Sequence, residues 1–174
     1  MPTRSRRRVV AGLAVLVAML TIITVVVLVW PPLGGPEKAD AILSLNGPNE
    51  NLREAEAISL AKRGYAPLLL FSQGRSDYGC PVLHQVKVVC FAPNPGRTVG
   101  EAEWAGRYAK QHHLHSLLVV AGQTQAVRAL LLVGRCFDGD IHVIGVDTPK
   151  RSLPYDIVYG WGSLGRALII DRHC

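Results

Sequence analysis

Residues 119–136, VVAGQTQAVRALLLVGRC, place polar side chains where an apolar segment passes through a short turn into a helical pattern. Gln123, Thr124 and Gln125 occupy the turn, and Arg128 falls near the start of the helix. The free backbone amides of a helix N-terminus and an arginine guanidinium both suit a phosphate or a carboxylate. The sequence therefore predicts an anion-binding site at this junction, with Arg128 as its cation.

Other polar residues follow the other predicted strands or lie early in the helices after them. The carboxyl ends of parallel strands meet at one edge of a sheet, so these side chains are expected to converge there. The predicted cluster consists of Asn46, Arg53, Ser72, Glu101, Gln125 and Arg128.

Two members of this cluster can also be explained by a structural role without any ligand, and the sequence does not decide between the two explanations. Arg128 can be solvated or paired with Glu101. Glu101 stands three residues after Thr98, which is the T-x-x-E spacing of a capping box and needs no ligand.

Other residues and motifs have ordinary explanations. Arg53 can pair with Glu50 or Glu56 on the surface of its helix. No G-x-S-x-G or G-x-x-x-x-G-K-[ST] motif is present, so the sequence supports neither a serine hydrolase nor a P-loop. Three histidines fall at a predicted helix end and are interpreted as exposed residues favoured by the helix dipole, not as metal ligands. They are His112, His113 and His115.

The N-terminal part of the chain predicts a membrane anchor. Residues 9–30 form an uncharged run of 22 residues, which spans about 33 Å as a helix against a hydrocarbon core of about 30 Å. A cleaved signal peptide has a shorter apolar core, and the first A-x-A pattern stands well downstream at 39–41. The preceding arginines, Arg4, Arg6, Arg7 and Arg8, favour a cytoplasmic N-terminus.

The predicted organisation is that of a single-pass protein of the plasma membrane. Residues 1–8 form a cytoplasmic segment, 9–30 the transmembrane helix and 31–38 a linker rich in Pro and Gly. Residues 39–174 form one extracytoplasmic domain.

The distribution of charge argues against a nucleic-acid partner. The chain has a net charge of +6, but four of its 19 basic residues are the N-terminal arginines, which leaves 15 against 13 acidic residues. A domain charge of about +2 does not indicate a face that tracks phosphates.

All four cysteines lie in the predicted outer domain, where an even number indicates disulfides. Three pairings are possible. We favour Cys80 with Cys90, which brackets one loop, and Cys136 with Cys174, which ties the chain end to the body. A zinc site is the alternative, although no C-x-x-C or matching histidine spacing is present.

Strand patterns alternate with helix patterns from residue 39 onward. DAILSL, PLLLFS, SLLVVA and IHVIGV predict buried strands, VKVVCF predicts a small additional strand, and helical patterns separate most of them. This alternation predicts an α/β fold, a Rossmann-like three-layer domain with a parallel sheet, behind one N-terminal transmembrane helix.

Several segments, taken in order, resemble the YdcF/SanA/ElyC-like family of bacterial envelope proteins. The similarity rests on ADAILSLNG, NLREAEAISLAKRGYAPLLLFSQG, TVGEAEWAGRYA and LLVVAGQTQAVRALLL, and it covers most of the chain from residue 40. CFDGDIHVIGV is similar to actinobacterial members of that family. The resemblance implies a membrane anchor, a Rossmann-like domain and a role in cell-envelope integrity, and it implies no particular reaction or cofactor.

The resemblance also implies site residues, and it adds Gly47 and Gly74 to the predicted ligand-binding set. The family's motifs fall on Asn46 and Gly47 after the first strand, Arg53 on the next helix, Ser72 and Gly74 after the second strand, and Thr98, Gly100 and Glu101 in the T-x-G-E segment.

Two positions depart from the family pattern. Ala121 and Gly122 replace a Thr-Ser pair, and Gln125 stands at the expected histidine, while Arg128 is retained. Gly160 stands where a glutamate is expected. Gln125 can donate and accept hydrogen bonds but cannot shuttle a proton near neutral pH as imidazole does.

Three hypotheses about function follow from these residues. The domain can bind an anionic envelope metabolite, either a nucleotide-like molecule or a lipid-linked precursor, and act on it. It can bind such a ligand without catalysis, as the departures at Gln125 and Gly160 favour. It can instead bind another protein as a scaffold, which predicts an exposed apolar patch and not a polar cleft.

Overall fold

The computed structural model describes residues 3–47, 50–73, 80–147 and 153–174. These residues form an N-terminal helix followed by five strands, which alternate for the most part with helices. In chain order the elements are α1 (Thr3–Thr24), a π-helical exit turn (Val25–Val29), β1 (Ala41–Ser44), α2 (Glu50–Lys62), β2 (Leu68–Ser72), β3 (Lys87–Phe91), α3 (Thr98–His112), β4 (Ser116–Gly122), a 3₁₀ turn (Gln123–Gln125), α4 (Ala126–Cys136), β5 (Asp140–Val146) and α5 (Leu153–Ile169).

The strands form one parallel sheet in the order β3-β2-β1-β4-β5. β1 and β2 are buried along their whole length, as is β4 after its first residue, because both faces of a parallel sheet are covered. The strand order reverses between β1 and β4, which is where open α/β sheets leave a crevice at the carboxyl ends of their strands. The predicted Rossmann-like α/β fold is confirmed.

Two apolar cores lie on the two faces of the sheet. Alternate residues of each strand contribute to different cores, so that Leu43 and Val119 pack with α3 and α4, whereas Ile42 and Val120 pack with α2. Each fully buried side chain of this size stabilises the fold by about 1.5 to 3 kcal/mol. The cores hold the carboxyl ends of β1, β2 and β4 at one edge.

The N-terminal helix differs from the rest of the chain in its exposure. Its apolar stretch of 24 residues, Arg6–Val29, is long and apolar enough to cross a membrane and is almost wholly exposed. A membrane anchor and a signal sequence share these features.

Two disulfides link cysteines of the α/β domain, and both have the favoured pairing. Cys80 is bonded to Cys90 on β3, and Cys136 at the end of α4 is bonded to Cys174. Arg135 supports the second bridge by donating from Nη1 to the backbone oxygens of Ala167 and Asp171. The chain end is therefore held against α4 and α5.

Candidate functional site

The candidate site is built at the carboxyl edge of the sheet, around the ends of β1, β2 and β4. β1 runs into Leu45, whose amide donates to the oxygen of Val120 on β4 at 3.1 Å. The chain then turns at Asn46, whose side-chain oxygen accepts a hydrogen bond from the amide of Gly47. Gly47 has a φ of 142°, which disfavours any residue with a Cβ atom.

Arg53 reaches this edge from α2 and is completely buried. Its guanidinium lies between two glycines: a Cβ atom at Gly47 would be 3.2 Å from Nη2, and one at Gly122 would be 3.2 Å from Nη1. The predicted surface position of Arg53 is therefore wrong, and Glu56 contacts Arg63 at 3.3 Å. An arginine in this place must be surrounded by polar groups, since burying an isolated charge is costly.

Gln125 lies beside the same guanidinium. Its Nε2 would be 3.5 Å from a Cβ atom at Gly47, and its Cδ would be 3.7 Å from one at Gly122. Its neighbour Gln123 points elsewhere, with Oε1 over Gly145 of β5. The 3₁₀ turn thus contributes one amide side chain to the space around Arg53.

Glu101 is the buried carboxyl of the cluster, at 1% exposure. Its Oε1 accepts a hydrogen bond of 2.6 Å from the backbone amide of Asn46. The predicted capping box is wrong: α3 begins at Thr98 after Arg97, without a side-chain cap, because the Glu101 side chain turns toward β1 and away from its own helix end.

Burial raises the pKa of Glu101 above its ordinary value. Four neighbours oppose that shift by favouring the carboxylate. These are the Ser72 hydroxyl, the Asn46 amide and the charges of Arg53 and Arg128. The carboxyl is thus held in a site where its charge depends on the cations around it.

Arg128 is the second arginine of the cluster and belongs to α4, whereas Arg53 belongs to α2. Its Nη2 donates to the Thr98 hydroxyl at 3.4 Å. Its Nε is buried and has no hydrogen-bond partner within the described ranges. Arg128 interacts with Glu101 through their opposite charges, as the predicted pairing requires, but the two are not joined by a described hydrogen bond. Its Nε–H group can therefore donate a hydrogen bond to a ligand.

The structure brings most of the predicted set together. Asn46, Gly47, Arg53, Ser72, Glu101, Gln125 and Arg128 share the carboxyl edge, whereas Gly74 lies outside the described residues.

Two further residues belong to the cluster although they are outside the predicted ligand-binding set. Thr98 accepts from Arg128, and Gly122 makes room for Arg53. The sequence could have indicated Gly122, since a glycine at the end of a buried strand often marks a place where another group lies close to the backbone. It gave no such indication for Thr98 beyond the place of that residue in the T-x-G-E segment.

Gly160 has a packing explanation. It lies in the middle of α5 against the exit turn, and a Cβ atom there would be 2.9 Å from Cδ1 of Leu28. A larger residue at this position would displace the Leu28 side chain, so glycine permits the close contact between α5 and the exit turn.

The described residues include no group of three His, Cys, Asp or Glu side chains placed to hold a metal ion. His112, His113 and His115 are exposed at the end of α3, where His113 adopts the left-handed conformation that ends the helix. Their predicted placement at a helix end is confirmed.

Comparison of the chain with protein-family models, with curated proteins and with solved structures finds no match. What the site can bind is therefore inferred from its geometry and its residue types. Two guanidinium groups, one buried carboxyl, the Gln125 amide and two glycines form a polar cluster in which the cations outnumber the carboxylate. Such a donor set suits a small anion with several oxygens.

Proposed function

We propose that this chain is a membrane-anchored domain that binds a small phosphate- or nucleotide-like anion at the carboxyl edge of its sheet. The observation that supports it most strongly is the placement of Arg53 and Arg128 about the same buried carboxyl, with Nε of Arg128 left without a partner in the described chain. Ligands of open α/β sheets bind at this edge.

The proposal includes a location outside the cytoplasm and a role in the cell envelope. The basic residues before α1 favour a cytoplasmic N-terminus, and two disulfides suit an oxidising compartment. We also propose that the chain is related to the YdcF/SanA-like proteins that it resembles. That relation favours a ligand from cell-envelope metabolism.

A binding function without catalysis is the second candidate. It is favoured by Gln125, which lies beside Arg53 where an imidazole would be needed to move a proton. Glu101 is the remaining acid in the cluster, and its buried position beside two arginines suits ligand positioning as well as proton transfer.

The test is a thermal-shift measurement on the full chain in detergent with inorganic phosphate, pyrophosphate and nucleotides. A ligand at 100 times its dissociation constant stabilises the folded state by about 2.7 kcal/mol. We expect Arg128→Gln to lose this stabilisation, because the substitution removes a guanidinium from the polar cluster around Glu101.

Arg107→Gln is the matched control, since Arg107 is an exposed arginine of α3 that contacts Glu103 at 3.9 Å. It should respond to the ligand as the unmodified chain does. Equal stabilisation of the Arg128→Gln variant would contradict the proposed site, and no response to any anion would favour the protein-binding hypothesis.

A further inference from the structure

The outer face of α5 is apolar although nothing in the described chain covers it. Gly160, Leu164 and Ala167 form the buried side of this helix. The remaining sides of the helix expose large apolar side chains that a water-facing helix does not normally carry. They are Tyr155, Val158, Tyr159, Trp161, Leu168 and Ile169.

This exposed face contains little charge. Arg166 is the one charged residue among the exposed positions of the described part of α5. A helix that is apolar on both sides needs an apolar or interfacial environment on its outer side as well as the core on its inner side.

The exit turn fixes where α5 lies relative to the apolar N-terminal helix. Leu28 is 3% exposed and packs against Gly160. Nε1 of Trp161 donates to the hydroxyl of Thr24 at 3.2 Å. The middle of α5 is therefore level with the last turn of α1 and with the exit turn.

That level coincides with the outer boundary of a bilayer crossed by α1. Twenty residues span a hydrocarbon core of about 30 Å, so a span that starts at Val9 ends near Leu28. Trp30, at 75% exposure, and the aromatic residues of α5 then lie at the depth where Trp and Tyr concentrate in membrane proteins.

We infer that α5 is an interfacial helix whose outer face rests in the lipid headgroup and upper acyl region of the bilayer. The domain then has two membrane contacts, the α1 span and α5, and its orientation relative to the membrane is fixed. This inference rests on the membrane anchoring of the proposed function and is independent of the anion site.

Depth-dependent fluorescence quenching tests it on the full chain in liposomes. Trp30, Trp104 and Trp161 are replaced by Phe, and one new tryptophan is introduced by Val158→Trp on the outer face. Ile169→Trp serves as a second probe of that face. Val82→Trp is the matched control, because Val82 is 87% exposed in the loop before β3, near the start of β2 at the other edge of the sheet.

We expect lipids brominated near the top of their acyl chains to quench the probes at 158 and 169 several-fold more than the probe at 82, since interfacial helices are immersed by about 5 to 10 Å. Equal, weak quenching at all three positions in chains that float with liposomes would overturn the inference, as would cross-linking that shows a second copy or another protein on this face.

Flotation separates this inference from the proposal on which it rests. A chain that does not float with liposomes overturns both the anchor and the interfacial helix. A chain that floats and shows the quenching pattern supports the interfacial helix even if Arg128→Gln has no effect on phosphate binding.

Discussion

Glu101 is a buried carboxyl whose hydrogen-bond partner comes from a distant part of the chain. Its T-x-x-E spacing fits a helix cap, yet its carboxylate accepts the amide of Asn46, which is 55 positions away in the chain. Hydrogen bonds and charges from four neighbours offset part of the cost of burying it, and burial remains the largest influence on its pKa. The protonation state of Glu101 therefore affects the stability of the fold.

Glu101→Gln should change how stability depends on pH. Because burial raises the folded-state pKa above the ordinary value of 4.5, the protonated carboxyl contributes stability that is complete below the unfolded-state pKa. That contribution is lost as pH rises through the folded-state pKa. The free energy of unfolding of the native chain, taken relative to the variant, should decline over that window and then become constant.

Urea denaturation at a series of pH values upward from about pH 4 measures this difference. Glu103→Gln is the control, since Glu103 lies on the same helix and pairs with Arg107 nearer the surface. Parallel profiles for the native chain and Glu101→Gln would show that Glu101 does not titrate differently in the folded state.

At the scale of elements, β1 and β4 are joined at the edge opposite the site. Asp40 accepts hydrogen bonds at Oδ2 from the amides of His115 at 2.6 Å and Ser116 at 3.0 Å, and its own amide donates to the Ser116 hydroxyl at 2.9 Å. The first of these bonds is the main cause that lowers the pKa of Asp40. These bonds fix the start of both strands and so the register that brings their far ends together.

Asp40→Ala should destabilise the domain by about 1 kcal/mol at neutral pH, because it leaves two backbone amides without their acceptor in a partly exposed position. Since the pKa is lowered from 3.8, this contribution is present above the unfolded-state pKa and is lost as pH falls through the folded-state pKa. Thermal unfolding at neutral and at acidic pH checks both points. A difference between the chains that persists in acid would contradict the assignment.

The disulfide between Cys136 and Cys174 is a second link between elements, since it joins the end of α4 to the end of the chain. It closes a separation of 38 residues, for which loop entropy gives about 4 kcal/mol in a model-dependent estimate. Replacing both cysteines by serine should lower the free energy of unfolding more than the same change at Cys80 and Cys90, which closes a separation of 10. Denaturant unfolding of the two double variants measures the order, and the reverse order would contradict it.

At the scale of the whole molecule, the elements that the sequence predicts well are those in which burial determines residue type. Parallel strands covered on both faces are apolar runs, and the alternation of strands and helices limits the fold to a few arrangements. The carboxyl-edge rule then placed Arg53, Glu101 and Arg128 together. The pairing of the cysteines followed from which loops they enclose.

What the sequence did not predict depends on contacts between distant segments. A buried Arg53 resembles a surface arginine in the sequence, because its neighbours come from β1 and β4. The contact of Gly160 with Leu28 joins α5 to the exit turn, and the two residues are too far apart in the chain for a sequence pattern to predict it. The polar cluster and the contact of α5 with the exit turn both depend on residues that are brought together only in the folded chain.

The proposed topology places the whole α/β domain on one side of the membrane. In right-side-out vesicles containing the full chain, external protease should remove the domain and leave α1 protected, because the basic N-terminus stays inside. Immunoblotting for tags at the two ends distinguishes the arrangements. Protection of the C-terminal tag in sealed vesicles would contradict the topology.

The most direct test of the central claim is a crystal structure of the full chain soaked with tungstate, whose tetrahedral oxygens stand in for those of phosphate and whose metal atom gives an anomalous signal. The account predicts tungstate at the carboxyl edge, with oxygens within hydrogen-bond distance of Nε of Arg128 and close to the guanidinium of Arg53. An empty edge in crystals that bind tungstate only elsewhere would contradict the claim that these arginines form an anion site.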